Sequence, residues 1–134
     1  MARVIADVVL ASMTVWMEAR GEPYEGKIAV AEVIVRRMTR KVMSDGTVVG
    51  TILRPHQFSG WNTQDPNRLA VMRLDDTTPS YLECVRAWND AVGGVSVVPE
   101  AVFYFAPAQV ATPPMWATRD KWVKTIGQHQ FYAM

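Results

Sequence analysis

The chain has 134 residues, 49% of them hydrophobic, and a formal net charge of +1. That length suits one compact domain spanning residues 1–134, the apolar share argues against wholesale disorder, and the balanced charge lacks the basic surplus of nucleic-acid-binding proteins. Cys84 is the only cysteine and the two histidines, His56 and His129, lie far apart, so neither an intrachain disulfide nor a metal site is expected, and no cofactor.

Residues 4 to about 20 read as a helix. Ile5, Val8, Val9, Met13, Val15, Trp16 and Met17 cover most of its circumference, which predicts a largely buried element. Asp7, Thr14 and Glu18 form one narrow polar stripe that must face either water or a cleft. Arg3 followed by "VIADVVLASM" superficially resembles a signal peptide. Asp7 interrupts that apolar stretch, however, and cleavage near Ala11 or Ser12 would remove the helix supporting Glu18. The expectation is a protein made in the cytoplasm without a signal peptide. No apolar run reaches the roughly 20 residues of a membrane span.

Gly21 and Pro23 end this helix, because proline disfavours the helical conformation at Glu22. The four-residue spacing of Glu18 and Glu22 therefore does not translate into a distance. A second helix is expected from about 25 to 40, with "IAVAEVIV" as the central core helix and Glu32 and Arg36 placed for an i,i+4 pair. The basic knot "RRMTRK" (36–41) would complement the dipole at its C-terminal end. "SDGTVVGTILRP" predicts a turn and one or two short helical turns ended by Pro55. A long loop, "HQFSGWNTQDPN", then carries Phe58 and Trp61. "TTPSYLECVRAWNDAVGG" has a threonine cap, a proline at the first helical position and a glycine stop. Cys84 falls on its Tyr81, Val85, Trp88 stripe, as a buried structural thiol would, and Trp16 and Trp88 are expected in the core. "AVFYFA" (101–106) is a strand candidate, and the tail reads as loop with a short closing strand.

No Gly-rich phosphate loop, G-x-S-x-G elbow or HExxH motif occurs. A Cys84–His129 couple stays open, although its cysteine looks buried. What remains is carboxylate chemistry beside aromatics. In "VWMEARGEPYEG" (15–26), Glu18 ends a mostly buried helix. Desolvation raises the pKa of such a carboxyl and keeps it protonated near neutral pH, as a general acid acting on a glycosidic oxygen requires. Phe58, Trp61, Tyr104 and Trp116 offer flat rings suited to the apolar faces of sugars, although any one such ring is more often core.

"EARGEPYEGKIAVAEVIVRR", "QFSGWN", "FYFAP", "PPMWA" and "IGQHQFY" occur in the order found in the SleB/CwlJ family of cell-wall hydrolases, which the chain resembles from about residue 5 to 132. As a small stand-alone form it looks like a phage endolysin. The resemblance implies an α+β, mainly α fold of lysozyme-like type (lytic transglycosylase/goose-lysozyme-like) with a small β element, and lytic transglycosylase action on peptidoglycan. It places the catalytic glutamate on Glu18. Three features depart from the family pattern. Arg36 stands where asparagine is frequent, and Phe103 replaces a frequent histidine before Tyr104. The usual signal sequence and wall-binding repeats are missing, which fits a lysis enzyme released through a holin pore.

The resemblance implies cleavage of the MurNAc–GlcNAc β-1,4 bond, with Glu18 as acid and then base while the MurNAc 6-hydroxyl closes a 1,6-anhydro ring. Ser59, Tyr104 and His129 are candidates for polar contacts to the sugars, with Tyr104 foremost. Glu22 is read either as a carboxylate at the helix end, alone or paired with Arg20, or as a second site carboxylate that holds substrate or supports Glu18. A hydrolytic muramidase using Glu22, Glu25 or Asp65 to position water is the alternative enzyme, and a non-catalytic wall-binding module the alternative of another class. The expected partners are peptidoglycan glycan strands, bound by a monomer.

Overall fold

The structure is a computed structural model that describes residues 3–134. Five α-helices precede a three-stranded antiparallel sheet: α1 (Ile5–Ala19), α2 (Tyr24–Arg40), α3 (Val48–Ile52), α4 (Pro66–Val71), α5 (Pro79–Val92), β1 (Phe103–Phe105), β2 (Trp122–Ile126) and β3 (His129–Tyr132). This is the mainly α, lysozyme-like α+β arrangement that the sequence resemblance implied. No helix among the described residues is long and apolar enough to cross a membrane.

α2 runs through the centre, with every residue from Gly26 to Ile34 buried. Ala29, Val30 and Ala31 are small enough for α1 and α5 to pack close on either side, so Ala11 and Val15 of α1 and Cys84 and Trp88 of α5 share its core. A helix buried all round must find partners for its charged groups. Lys27 donates to Glu83 Oε1 at 3.0 Å and to the Glu22 carbonyl at 2.8 Å. Glu32 accepts from Arg36 at 2.6 Å, from Ser96 Oγ and from the Val97 and Val98 amides. Burial alone would raise the Glu32 pKa, but these four donors hold it below the usual carboxylate range. Arg36 also donates to the Val98 and Ala101 carbonyls, so the expected i,i+4 pair staples the chain entering the sheet onto α2.

The sheet order is β1-β3-β2, with Tyr104 opposite Phe131 and Thr125 opposite Gln130. Gly127 opens the two-residue turn between β2 and β3 with φ +55°, a conformation glycine adopts without strain. The tail therefore forms a hairpin of two strands, more than the single closing strand expected. Residues opposite one another share a face. Tyr104, Phe131, His129 and Ile126 lie on one side, with Phe131 and Ile126 in the helical core. Phe103, Phe105, Tyr132 and Gln130 lie on the other.

Other expectations need revision. Thr14 is fully buried rather than part of an open polar stripe: its hydroxyl donates to the Leu10 carbonyl and accepts from Trp61 Nε1 at 2.9 Å. Thr78 precedes α5 as the N-cap residue, but its hydroxyl turns back to the Asp75 amide and carboxylate instead of capping the helix. The loop after Phe58 is interrupted by a 3-10 turn at Ser59–Trp61 and followed by α4, which Asp65 caps through the Asn67 amide with Pro66 at the first helical position. Trp16 and Trp88 are core, as expected.

Trp88 is 2% exposed, so Trp88→Ala should cost about 3–5 kcal/mol of stability by denaturant titration. Trp61 is only partly buried but packs on the core, so Trp61→Ala should destabilise in the same direction by less. A Trp61→Ala protein with wild-type stability would contradict its placement in the packing.

Candidate active site

The chain reverses after α1 with the Glu22 amide on the Ala19 carbonyl at 2.9 Å, which leaves Glu18 on the last turn, facing the sheet. A cleft of about 520 Å³ opens there, lined by Glu18, Glu22, Ser59, Tyr104 and His129 together with Asn67, Gln109 and Gln128. Three parts of the sequence meet in it: the end of α1, the 3-10 turn before α4, and the inner face of the sheet. A second groove, of about 260 Å³ between the C-terminal ends of α2 and α5, contains Glu32, but that carboxylate is already saturated by four donors and has no free chemistry.

Glu18 is partly accessible from the cleft, while its carboxyl is enclosed. Tyr104 Oη donates a hydrogen bond to Glu18 Oε1. Burial pushes the Glu18 pKa above the ordinary 4.5. The Tyr104 hydrogen bond and the positive charge of Arg37 oppose that rise, and the negative charge of Asp65 adds to it. The same enclosure, together with the carboxylate beside it, drives the Tyr104 phenol well above 10, so Tyr104 remains a donor throughout the working pH range.

Arg37 is the residue that sequence reading missed. In the sequence it belongs to a basic knot at a helix end, yet it is buried beneath the site. Its Nε donates to the Val102 carbonyl at 2.6 Å and its Nη1 to Gln57 Oε1 at 3.3 Å, and its guanidinium lies against the rings of Phe58 and Phe103. It makes no carboxylate ion pair among the described residues, so its charge acts at longer range on Glu18 and Tyr104. The signal was in the helical period: Val30, Val33 and Ile34 place position 37 on the core-facing stripe of α2.

Glu22 sits on the opposite lip, off the axis of α1. Its Oε1 accepts from the Gln128 amide at 2.9 Å and lies 3.2 Å from His129 Nδ1, outside good hydrogen-bond alignment. Its partner is thus the hairpin and not Arg20, whose guanidinium stacks on Trp16. A Cβ on Gly127 would stand 2.7 Å from the Glu22 carboxyl, so glycine there serves both the turn and the close approach. Burial lowers the His129 pKa and Glu22 opposes it.

Not every expected ligand residue reaches the cleft. Phe58 is 4% exposed and belongs to the core, so it presents no face to a sugar. Trp61 is turned into the packing by its bond to Thr14. Trp116 stacks on Phe103, with ring centroids 4.8 Å apart, on the outer side of the sheet. Cys84 is fully buried with its thiol pushed up to about 12, which removes it as a nucleophile and closes the Cys84–His129 alternative. Of the other acids weighed, Asp65 is bound as the α4 cap, and Glu25 pairs with Lys124 at 2.6 Å on the exterior. No group of three or more metal-binding side chains occurs among the described residues.

Over the chain as a whole, the sequence is 31% identical to a spore cortex-lytic enzyme of Bacillus subtilis (strain 168) and 33% identical to one of Oceanobacillus iheyensis, in each case over 129 residues and 93% of this chain. The chain spans 37% and 41% of the length of those two relatives. Two solved structures superpose over 98% of the chain. The catalytic domain of a germination-specific lytic transglycosylase, SleB from Bacillus anthracis, gives a TM-score of 0.75 at 29% identity with 97% of that domain covered. The catalytic domain of the Bacillus cereus SleB protein gives 0.76 at 28% identity with 92% covered. The profile of the Cell Wall Hydrolase family matches residues 21–132, and the chain belongs to that family.

Proposed function

We propose that this chain cleaves the β-1,4 bond between MurNAc and GlcNAc in peptidoglycan, as a lytic transglycosylase. The observation that carries the reading is the state of Glu18. It is the one cleft carboxyl not committed to structure, and it is desolvated, hydrogen-bonded by Tyr104 and still reachable from the cleft. Protonated Glu18 donates to the glycosidic oxygen as the C1–O bond breaks and oxocarbenium character develops at C1. The resulting carboxylate then accepts the proton of the MurNAc 6-hydroxyl, whose oxygen bonds to C1 and closes the 1,6-anhydro ring. Burial favours the acid needed first. Tyr104 and the Arg37 charge favour the carboxylate needed second, so the opposed influences on one group serve two successive steps. Ser59, Glu22 and His129 line the same cleft and would contact the sugars.

A hydrolytic muramidase is the second reading. Its specific support is Asp65, whose charge reaches Glu18, although one of its oxygens already caps α4. A purely binding module would have no use for a desolvated acid held in place by a phenol. The wall as the place of action follows from the substrate. Lysis of the phage-endolysin kind, reached through a holin pore by a monomeric enzyme, is our reading of how such an activity is used.

Glu18→Gln should fold and lose lytic activity by at least about 100-fold, because an amide is nearly isosteric but delivers no proton. Turbidity clearing of permeabilised cells measures this, and activity within a few-fold of wild type would remove Glu18 from the mechanism. The same variant tests the titration. A carboxyl whose folded pKa lies above its unfolded value contributes stability below the unfolded value and loses it as pH rises through the folded one. From about pH 4.5 upward, wild type should therefore lose thermal stability relative to Glu18→Gln.

Tyr104→Phe removes a donor that favours the carboxylate, so the alkaline limb of the kcat/KM–pH profile should move to higher pH. Its maximum should fall by about tenfold or more, the scale of a hydrogen bond to a charged group. An unmoved limb would place Tyr104 outside the control of Glu18.

Digested peptidoglycan should contain muropeptides ending in 1,6-anhydro-MurNAc, one water lighter than hydrolytic products and resistant to borohydride reduction. Mass spectra showing only reducible MurNAc ends would leave Glu18 as the acid and make the enzyme a hydrolase.

A further inference from the structure

The outer face of the sheet carries a second concavity, of about 470 Å³, lined by Ala117, Arg119, Trp122, Thr125, Gln130 and Tyr132. None of these residues lines the catalytic cleft, which opens beside the inner face. Trp122 is 50% exposed and so offers an open indole face with a polar N–H at its edge. Its orientation is fixed rather than incidental. The register of β2 against β3 breaks between Trp122 and Lys124 in a bulge at Val123, with Trp122 opposite Tyr132 and Thr125 opposite Gln130. Two residues three apart on a regular strand point to opposite faces. The extra residue brings Trp122 and Thr125 to the same one, and Trp122 Nε1 donates to Thr125 Oγ1 at 3.1 Å. The indole is thereby held against the strand with half its surface open.

The polar groups around the ring share one sense. Tyr132 Oη donates to Gln130 Oε1 at 2.8 Å, which occupies the amide oxygen and leaves its NH₂ as the free end. Thr125 Oγ1 accepts from the indole and keeps its own proton to give. Arg119 is exposed and makes no ion pair among the described residues. A half-open indole ringed by an amide NH₂, a hydroxyl and a guanidinium presents an apolar platform bordered by donors. Its chemical complement is a sugar with an apolar face that carries acetamido carbonyls and carboxylates. A glycan strand bearing acidic stem peptides has that chemistry; a neutral polysaccharide lacks the charge.

We propose that this outer face is a second binding site for peptidoglycan, which holds a glycan strand and its stem carboxylates away from the bond being cut. The site rests on the peptidoglycan reading above. It lets the enzyme stay on an insoluble polymer between cleavages, with the sheet as the wall between grip and chemistry.

The test uses the full chain with teichoic-acid-free sacculi and with a short soluble muropeptide. In the Glu18→Gln background, Trp122→Ala and, separately, Arg119→Ala should each weaken sacculus binding in a sedimentation assay by about fivefold or more, the threshold of an energetically important contact. With Glu18 restored, both variants should clear sacculi more slowly and keep the wild-type kcat/KM on the soluble fragment. In ¹⁵N spectra of Glu18→Gln, the Trp122 indole and Gln130 side-chain amide signals should shift on adding excess muropeptide, a readout that needs no substitution in the outer-face site. Sacculus binding within twofold of the parent in both variants, or an unshifted Trp122 indole, would overturn the second site. A protein that neither binds nor cleaves any peptidoglycan would instead overturn the function on which it rests.

Discussion

The contact between Glu18 and Tyr104 ties the chemistry of this protein to its architecture. Glu18 ends a helix and Tyr104 lies on a strand 86 residues later, so the hydrogen bond exists only if helical core and sheet are docked correctly. That docking is enforced from underneath. Glu32 and Arg36 pin the chain entering β1 onto α2, and Arg37 on the same turn reaches the Val102 carbonyl next to the strand. The central helix therefore fixes the sheet and, through it, the environment of the acid. The burial that raises the Glu18 pKa follows from this packing and needs no dedicated device.

Two of the three departures from the family pattern become intelligible in this frame. Arginine at position 36, where asparagine is frequent, spans the Glu32 carboxylate and two loop carbonyls at once, which a shorter side chain could not do from the same place. Phe103 replaces a frequent histidine and gives up a polar group. It gains a stacked contact with Trp116 on one side and the Arg37 guanidinium on the other. Both side chains hold the seam between α2 and the sheet.

Much of the helical frame was legible because its signals are local. The apolar circumference of α1, the Gly21–Pro23 stop, and the Thr78–Pro79 start and Gly93–Gly94 stop of α5 each act over a few residues. The placement of Glu18 at the end of a buried helix was legible for the same reason. The partners of the site were harder, because they depend on which distant face meets which. Phe58, Trp61 and Trp116 looked alike as loop aromatics; only tertiary packing sends the first two into the core and the third to the outer side of the sheet. Gly21 and Pro23 show that Glu22 lies off the α1 axis, but its tie to the Gln128 amide needs a hairpin whose second strand the sequence only half announces. Arg37 was hidden by composition, since four basic residues within six positions read as a solvated end although the helical period turned one of them inward.

The most direct test of the account is the titration of Glu18 itself, followed by ¹³C NMR of its side-chain carboxyl in the free protein, with Glu18→Gln to assign the signal. An inflection displaced upward from the ordinary glutamate value of 4.5 is expected, with a further upward displacement in Tyr104→Phe. A Glu18 carboxyl that titrates at or below that ordinary value, unmoved by the loss of the Tyr104 hydroxyl, would contradict it.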